Sequence, residues 1–203
     1  MNNTKGIIVV ISGPSGSGKG TIVNELIKNE QYALSISATT RKPRIGEKEG
    51  IHYFFMSKEE FLEMINKEEL VEWAEFCDNY YGTPKSYIED KINKGKDVIL
   101  EIEVQGALQV KKIYPEAILI FIIPPSLTEL KNRLLKRGTE TSEIIEKRLM
   151  RAVEELDFVK EYDYLLVNDS IDNVVNEINM IIKTEHFKAN RRTSLIEKIK
   201  KEW

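Results

Sequence analysis

The chain predicts an α/β fold: a parallel central sheet covered by helices on both faces, with an inserted mixed β subdomain and a helical lid. Three observations carry this. Apolar runs alternate with amphipathic helical stretches, a glycine-rich turn leaves the first run, and between residues 34 and 83 the texture changes to short β-type pieces crowded with Arg, Tyr, Glu and Thr. The first run, residues 6–12, contains Ile7-Ile8-Val9-Val10-Ile11 and is apolar without alternation, as a strand buried on both faces requires. The helix near 18–29 follows, with Ile22, Val23, Leu26 and Ile27 on one stripe. Within the insertion, Ser35 to Thr40, Ile51 to Phe55 and Leu70 to Phe76 read as strands, and Ser57-Lys58-Glu59-Glu60 is a capping box opening a helix. Strands at 97–103, 117–123 and 164–168 then alternate with helices near 105–113, 126–137 and 171–187. Pro124-Pro125 closes one strand, and a second capping box, Ser126 to Glu129, starts the next helix. Residues 136–160 read as a charged helix pair hinged at Gly138, a pattern shared by a mobile lid and an ordinary solvated hairpin. The basic tail, residues 188–203, reads as a solvated terminal helix.

Composition narrows the classes. With 203 residues and 41% hydrophobic content, the chain buries a full core as one domain with insertions, and no stretch resembles a linker. Thirty basic residues against 33 acidic give a net charge of −3, which argues against a nucleic acid polymer or an anionic membrane as main partner. The longest apolar runs fall far short of the roughly 18 residues a membrane span needs, and the N-terminal run is too short for a signal peptide. A single cysteine, Cys77, excludes an internal disulfide and is expected as a small buried residue in a reducing, cytoplasmic setting.

The chemistry begins at Gly13-Pro14-Ser15-Gly16-Ser17-Gly18-Lys19. Glycines let consecutive backbone N–H groups face one concavity, the following helix aims its positive end there, and Lys19 adds a full charge. The motif is short enough to recur by chance, so its placement between a buried strand and an apolar-periodic helix carries the argument. A nucleoside triphosphate is the expected ligand, and the architecture becomes a P-loop three-layer fold. A second anion site is suggested by Arg41 and Arg44 flanking Pro43, because planar guanidinium groups bind two phosphate oxygens at once. Tyr53 and Tyr81 offer hydroxyls to the same anion. On residue type alone, the arginines are equally surface residues and the tyrosines equally core aromatics. Glu101 and Glu103, two apart at the end of a strand beside the P-loop, project to one side and suit a metal-bound water, a ribose or a salt bridge.

Six words occur together and in order: Ser-Gly-Pro-Ser-Gly-Ser-Gly-Lys at 12–19, Thr-Thr-Arg-Lys-Pro-Arg at 39–44, Glu-Trp-Ala-Glu-Phe at 72–76, Asn-Tyr-Tyr-Gly-Thr at 79–83, Glu-Ile-Glu-Val-Gln-Gly at 101–106 and Lys-Arg-Gly-Thr-Glu-Thr at 136–141. In these the chain resembles the guanylate kinases, over about residues 5–187. The resemblance implies a core of residues 5–33, 84–135 and 161–187, a GMP-binding subdomain at 34–83 and a lid at 136–160. It implies transfer of the γ-phosphoryl group of ATP to GMP with Mg2+. By the same resemblance, ATP falls to Gly13, Pro14, Ser15, Gly16, Ser17, Gly18, Lys19, Gly20, Thr21, Arg133 and Asn168, with Lys19, Arg137 and Arg148 as the catalytic cations. The GMP phosphate falls to Arg41, Arg44, Tyr53 and Tyr81, guanine to Ser37, Glu72 and Thr83, and the nucleoside to Glu103. The chemistry agrees, since an acceptor-only carboxylate matches guanine N1–H and N2–H while a hydroxyl donor matches O6.

One departure stands out. Gly20 occupies the position where Ser or Thr usually ligates magnesium in P-loops, so the metal is expected to rely on ATP oxygens and water, helped by Glu101. Two rival readings share parts of this pattern. A catalytically silent module binding a phosphorylated protein has little reason to keep Lys19 and the lid arginines. A P-loop kinase acting on a phosphorylated sugar has no reason to carry Glu72 with Ser37 and Thr83.

Overall fold

The computed structural model describes residues 5–136 and 141–202. Five strands, β1 (Ile8–Ser12), β2 (Tyr32–Leu34), β7 (Asp97–Glu101), β8 (Ile118–Ile123) and β9 (Tyr164–Val167), form one sheet in the order β2-β7-β1-β8-β9. Every pairing is parallel. Side-chain alternation sorts the apolar runs between two cores. Ile7, Val9, Ile11, Ile99, Ile118, Ile120 and Ile122 face helices α1 (Lys19–Leu26) and α7 (Ile171–Glu185). Ile8, Val10, Val98, Leu100, Ala117 and Leu119 face helices α3 (Lys85–Asn93) and α4 (Val104–Ile113). Each fully buried Ile or Leu contributes about 1.5–3 kcal/mol of transfer free energy, and that burial on both faces fixes the three layers.

A second sheet is mixed, in the order β4-β3-β6-β5, with β3 (Ala38–Thr39) parallel to β4 (Phe54–Phe55) and antiparallel to β6 (Asn79–Pro84), which pairs antiparallel with β5 (Leu70–Phe76). Helix α2 (Lys58–Asn66) covers it through Phe61, and the Ser57 capping box is complete, with Ser57 Oγ accepting from Glu60 N and the Glu60 side chain accepting from Ser57 N. The second box is only half formed. Ser126 Oγ accepts from Glu129 N, but the Glu129 carboxylate turns to Arg133 instead. Helix α5 (Leu127–Lys136) packs Leu130 and Leu134 against Ile145 and Ala152 of helix α6 (Ser142–Leu156). The expected hinge at Gly138 and the neighbouring Arg137 lie outside the described residues. A short helix α8 (Thr193–Lys200) ends the described chain.

Three expectations shift. Strand β7 ends at Glu101, and Glu103 is the N-cap of α4 rather than a strand residue; its extended backbone (φ −77°, ψ 167°) still carries it along the strand direction. Helix α3 and strand β2 had no clear signal, since Lys85–Asn93 is mostly polar and Tyr32–Leu34 spans only three residues. Cys77 is exposed, not buried. It sits with Asp78 in the two-residue turn of the β5–β6 hairpin, at φ 50° and 60°, because that turn takes its twist from two left-handed residues.

Candidate active site

The glycine-rich loop leaves β1 at the carboxyl edge of the parallel sheet. Gly13 and Gly18 are obligatory there. Their φ values are 138° and 98°, and a Cβ would lie 2.1 Å from the Ile122 carbonyl oxygen at Gly13 and 2.2 Å from Asn168 Nδ2 at Gly18. Lys19 folds back over the loop, donating to the carbonyls of Gly13 (2.5 Å) and Pro14 (3.1 Å). Behind the loop, Asn168 Nδ2 donates to the Ser17 carbonyl at 2.7 Å, and Arg133 donates to the same carbonyl at 3.3 Å and to the Asn168 carbonyl at 2.9 Å. Arg133 and Asn168 therefore brace the loop. From the lid side, Arg148 donates to Ser15 Oγ at 2.6 Å. The Glu101 carboxylate lies beside Gly20: a Cβ there would stand 3.5 Å from Glu101 Oε1, in ordinary contact. Burial pushes the Glu101 pKa up, opposed by the charge of Lys19. Thr21 points to solvent.

Two clefts open from this loop and share a wall. One, of about 640 Å³, is lined by Gly13, Ser15, Lys19, Arg148 and Glu155; the other, of about 510 Å³, by Ser37, Glu72, Tyr81 and Gly106. Tyr53, Phe76, Glu101, Glu103 and Arg151 line both. Each volume falls in the roughly 300–1,000 Å³ range of small-ligand sites.

In the second cleft Glu72 is 8% exposed and accepts from Thr83 Oγ at 2.6 Å across the β5–β6 pair. Burial raises its pKa, and the Thr83 hydrogen bond pulls it part of the way back. Arg41 lies 5.4 Å from the Tyr53 ring centroid, and the Tyr53 and Tyr81 rings meet edge-on at 6.2 Å. The Arg44 backbone N–H donates to Glu47 at 2.7 Å while its side chain is exposed. Of the expected residues, Ser37, Tyr53, Glu72, Tyr81 and Glu103 line the second cleft and Gly13, Ser15, Lys19 and Arg148 the first. Thr83 bonds to Glu72, Asn168 and Arg133 bond to the loop, Thr21 and Arg44 are exposed, and neither Arg41 nor Arg44 lines either cleft.

Three contributors escaped the sequence reading. Glu47 grips Arg41 through both guanidinium nitrogens (2.9 and 3.0 Å), and these bonds, with the Arg44 N–H, hold its pKa down to about 2. The only signal was an acid three residues after Arg44. Arg151, one turn beyond Arg148 on α6, donates to Glu103 at 2.5 Å and to Glu155 at 3.1 Å. Burial raises the Glu155 pKa, with Arg151 opposing. The i, i+3 spacing of Arg148 and Arg151 was visible, but the partners of Arg151 were not. Among the described residues no cluster of three or more His, Cys, Asp or Glu is arranged to hold a metal ion, and no helix is long and apolar enough to cross a membrane.

Known proteins resemble this chain in sequence and fold. The family model described as guanylate kinase matches residues 5–185. A guanylate kinase from Clostridioides difficile (strain 630) is 54% identical over 200 residues, covering 98% of each chain. Another, from Desulfitobacterium hafniense (strain Y51), is 52% identical over 193 residues, covering 95% of this chain and 96% of its own. The crystal structure of guanylate kinase from Anaplasma phagocytophilum aligns with a TM-score of 0.73 at 36% identity, over 93% of this chain and 90% of that one. On sequence and fold alike, the chain belongs to the guanylate kinase family.

Proposed function

We propose that the chain transfers the γ-phosphoryl group of ATP to GMP, giving ADP and GDP in purine nucleotide metabolism. The observation that carries this is Glu72: a buried carboxylate at the base of a cleft that shares a wall with a triphosphate cradle. A carboxylate accepts hydrogen bonds and donates none, so it pairs with guanine N1–H and N2–H and leaves adenine unmatched. The Thr83 proton is committed to Glu72, so Thr83 serves the base by orienting that carboxylate, and Ser37 is the hydroxyl left to donate to O6. Arg41, Arg44, Tyr53 and Tyr81 take the acceptor phosphate. Glu47 preorganises Arg41, whose fork would otherwise sample many rotamers.

On the donor side, loop N–H groups and Lys19 hold the β- and γ-phosphates, which requires Lys19 to exchange the Gly13 and Pro14 carbonyls for phosphate oxygens. Arg148, with Arg137 as the resemblance implies, neutralises the charge that spreads over the equatorial oxygens in the transition state. No general base is required, because the acceptor phosphate is already an anionic nucleophile held in line. The residues present fit Mg2+ carried chiefly by ATP. Glu101, beside Gly20, would supply a hard oxygen on the protein side of the ion, which when bound would neutralise phosphate charge. The small-molecule substrates and the lone thiol fit a cytoplasmic setting.

A coupled assay of ADP formation with ATP and Mg2+ tests the reading, comparing GMP, dGMP, AMP, CMP and UMP with no acceptor. Turnover restricted to GMP and dGMP is expected. Binding of GMP without turnover would favour a silent phosphoprotein-binding module, and turnover with another acceptor would refute the role of Glu72.

A further inference from the structure

Strand β5 carries Glu72 yet lies at the edge of its sheet, so the outward N–H and C=O groups of Trp73 have no neighbouring strand. One side chain replaces that strand. Gln109, on α4, accepts from Trp73 N at 3.0 Å and donates through Nε2 to the Trp73 carbonyl at 3.1 Å, the same pair of bonds a β partner would make. Helix α4 is itself immobilised on the central sheet by Val104, Ala107 and Val110. Three residues before Gln109, on the same helix face, Gly106 brings the first turn of α4 against Glu72; a Cβ there would lie 3.1 Å from Glu72 Oε2. The positive end of α4 thus faces the carboxylate, while Gln109 holds the adjoining residue in register.

We propose that Gln109 is a positioning residue for base recognition: its carboxamide clamps the Trp73 backbone to α4 and so sets Glu72 at the depth and orientation that accept the N–H groups of a guanine base. The proposal rests on the reading of Glu72 as the base acceptor. Gln109 lines neither cleft. Losing the clamp frees an edge strand whose only other backbone ladder is β6, and Glu72 drifts by more than a hydrogen bond tolerates.

The experiment compares wild type with Gln109→Leu, which removes both bonds at similar volume, and Gln109→Asn, which keeps the amide but is too short to bridge. GMP and ATP dissociation constants are taken by calorimetry on the nucleotide-free protein, with kcat, both KM values, the GMP-to-IMP preference and the melting temperature. Expected is a rise of about five- to tenfold in the GMP dissociation constant and KM, as for one lost hydrogen bond or somewhat more. The preference for GMP over IMP, which lacks the 2-amino donor, falls as well. The ATP constants and kcat at saturating GMP stay within about twofold. A GMP constant unchanged in a folded variant, while Glu72→Gln abolishes GMP binding, overturns the clamp and leaves the base reading standing. Parallel loss of ATP and GMP binding with a lowered melting temperature overturns it in favour of a general structural role. Wild-type protein that binds AMP as tightly as GMP overturns both.

Discussion

The two clefts are built by different means. The phosphate loop is a backbone device: Gly13 and Gly18 take conformations closed to other residues, and their neighbours Lys19, Arg133 and Asn168 bond to loop carbonyls. The second cleft is a side-chain device: Thr83 bonds to Glu72 on the smaller sheet, Arg41 to Glu47 in the loop beside it, and Arg151 of α6 to Glu103 at the N-cap of α4. A backbone cradle recognises any polyphosphate, because every nucleotide presents the same oxygens. Side chains discriminate, because one functional group decides whether a base finds its partners. Perturbing the loop should therefore cost stability and donor binding together, whereas perturbing the cleft should cost selectivity and leave the fold intact.

The sharpest break comes at Glu72. Glu72→Gln offers an amide donor to guanine donors, and kcat/KM for GMP is expected to fall by on the order of 10³–10⁴ while ATP binding and melting temperature hold. In the wild type, GMP affinity measured by calorimetry should climb with pH as the carboxyl, its pKa raised by burial, gives up its proton, then level off; a profile flat in pH would break the link between burial of Glu72 and recognition. Gly18→Ala tests the other side. The positive φ and the contact with Asn168 predict about 2–4 kcal/mol of lost stability, read by denaturant melts, with weaker ATP binding and unchanged acceptor preference. If the variant instead alters selectivity among acceptors, the division between the clefts fails.

A smaller effect is expected where the clefts meet. Arg151→Ala leaves Glu101, Glu103 and Glu155 facing two polyanions with one compensating cation fewer. The ion pair is surface-exposed and worth about 0–1 kcal/mol in itself, so stability should barely change. Steady-state kinetics should show kcat/KM for both substrates reduced about three- to tenfold, more at low salt than at high. Smallest is Glu47. Its folded-state pKa of about 2 lies below the ordinary 4.5, so its contribution to stability is full above the ordinary value and fades as pH falls through 2. Melting curves of wild type and Glu47→Gln should differ slightly at neutral pH and converge in acid, and the GMP KM of the variant should rise about two- to fivefold through a loosened Arg41.

Much of this was legible in residues 6–19 and in the apolar runs near 98, 119 and 165, where local patterning and burial agree. Ser37, Tyr53, Glu72 and Tyr81, which the resemblance groups together, line one cleft, whereas Arg41 and Arg44 of the same group do not line it. Other features were not legible. Cys77 looks like a core residue by composition and is exposed because the hairpin turn claims it. The resemblance assigns Asn168 and Arg133 to ATP; their bonds to the Ser17 and Asn168 carbonyls, which brace the loop, carried no sequence signal. Gln109 and Arg151 are ordinary helix-surface residues until their partners, 36 and 48 positions away, are brought beside them.

The sequence by itself determined the parallel sheet and the phosphate loop, because strand burial, glycine conformation and helix periodicity are properties of a few consecutive residues; the family followed from the resemblance carried by the six words. Only the tertiary structure decided how deeply Glu72 is buried, that Thr83 spends its proton there, that Glu101 lies beside Gly20, and which carboxylates meet Arg41 and Arg151. Those are consequences of strand order and helix docking. A side chain's desolvation and its partners are set by what packing brings against it, and no local pattern encodes the neighbours of a residue that lies 36 or more positions away in the chain.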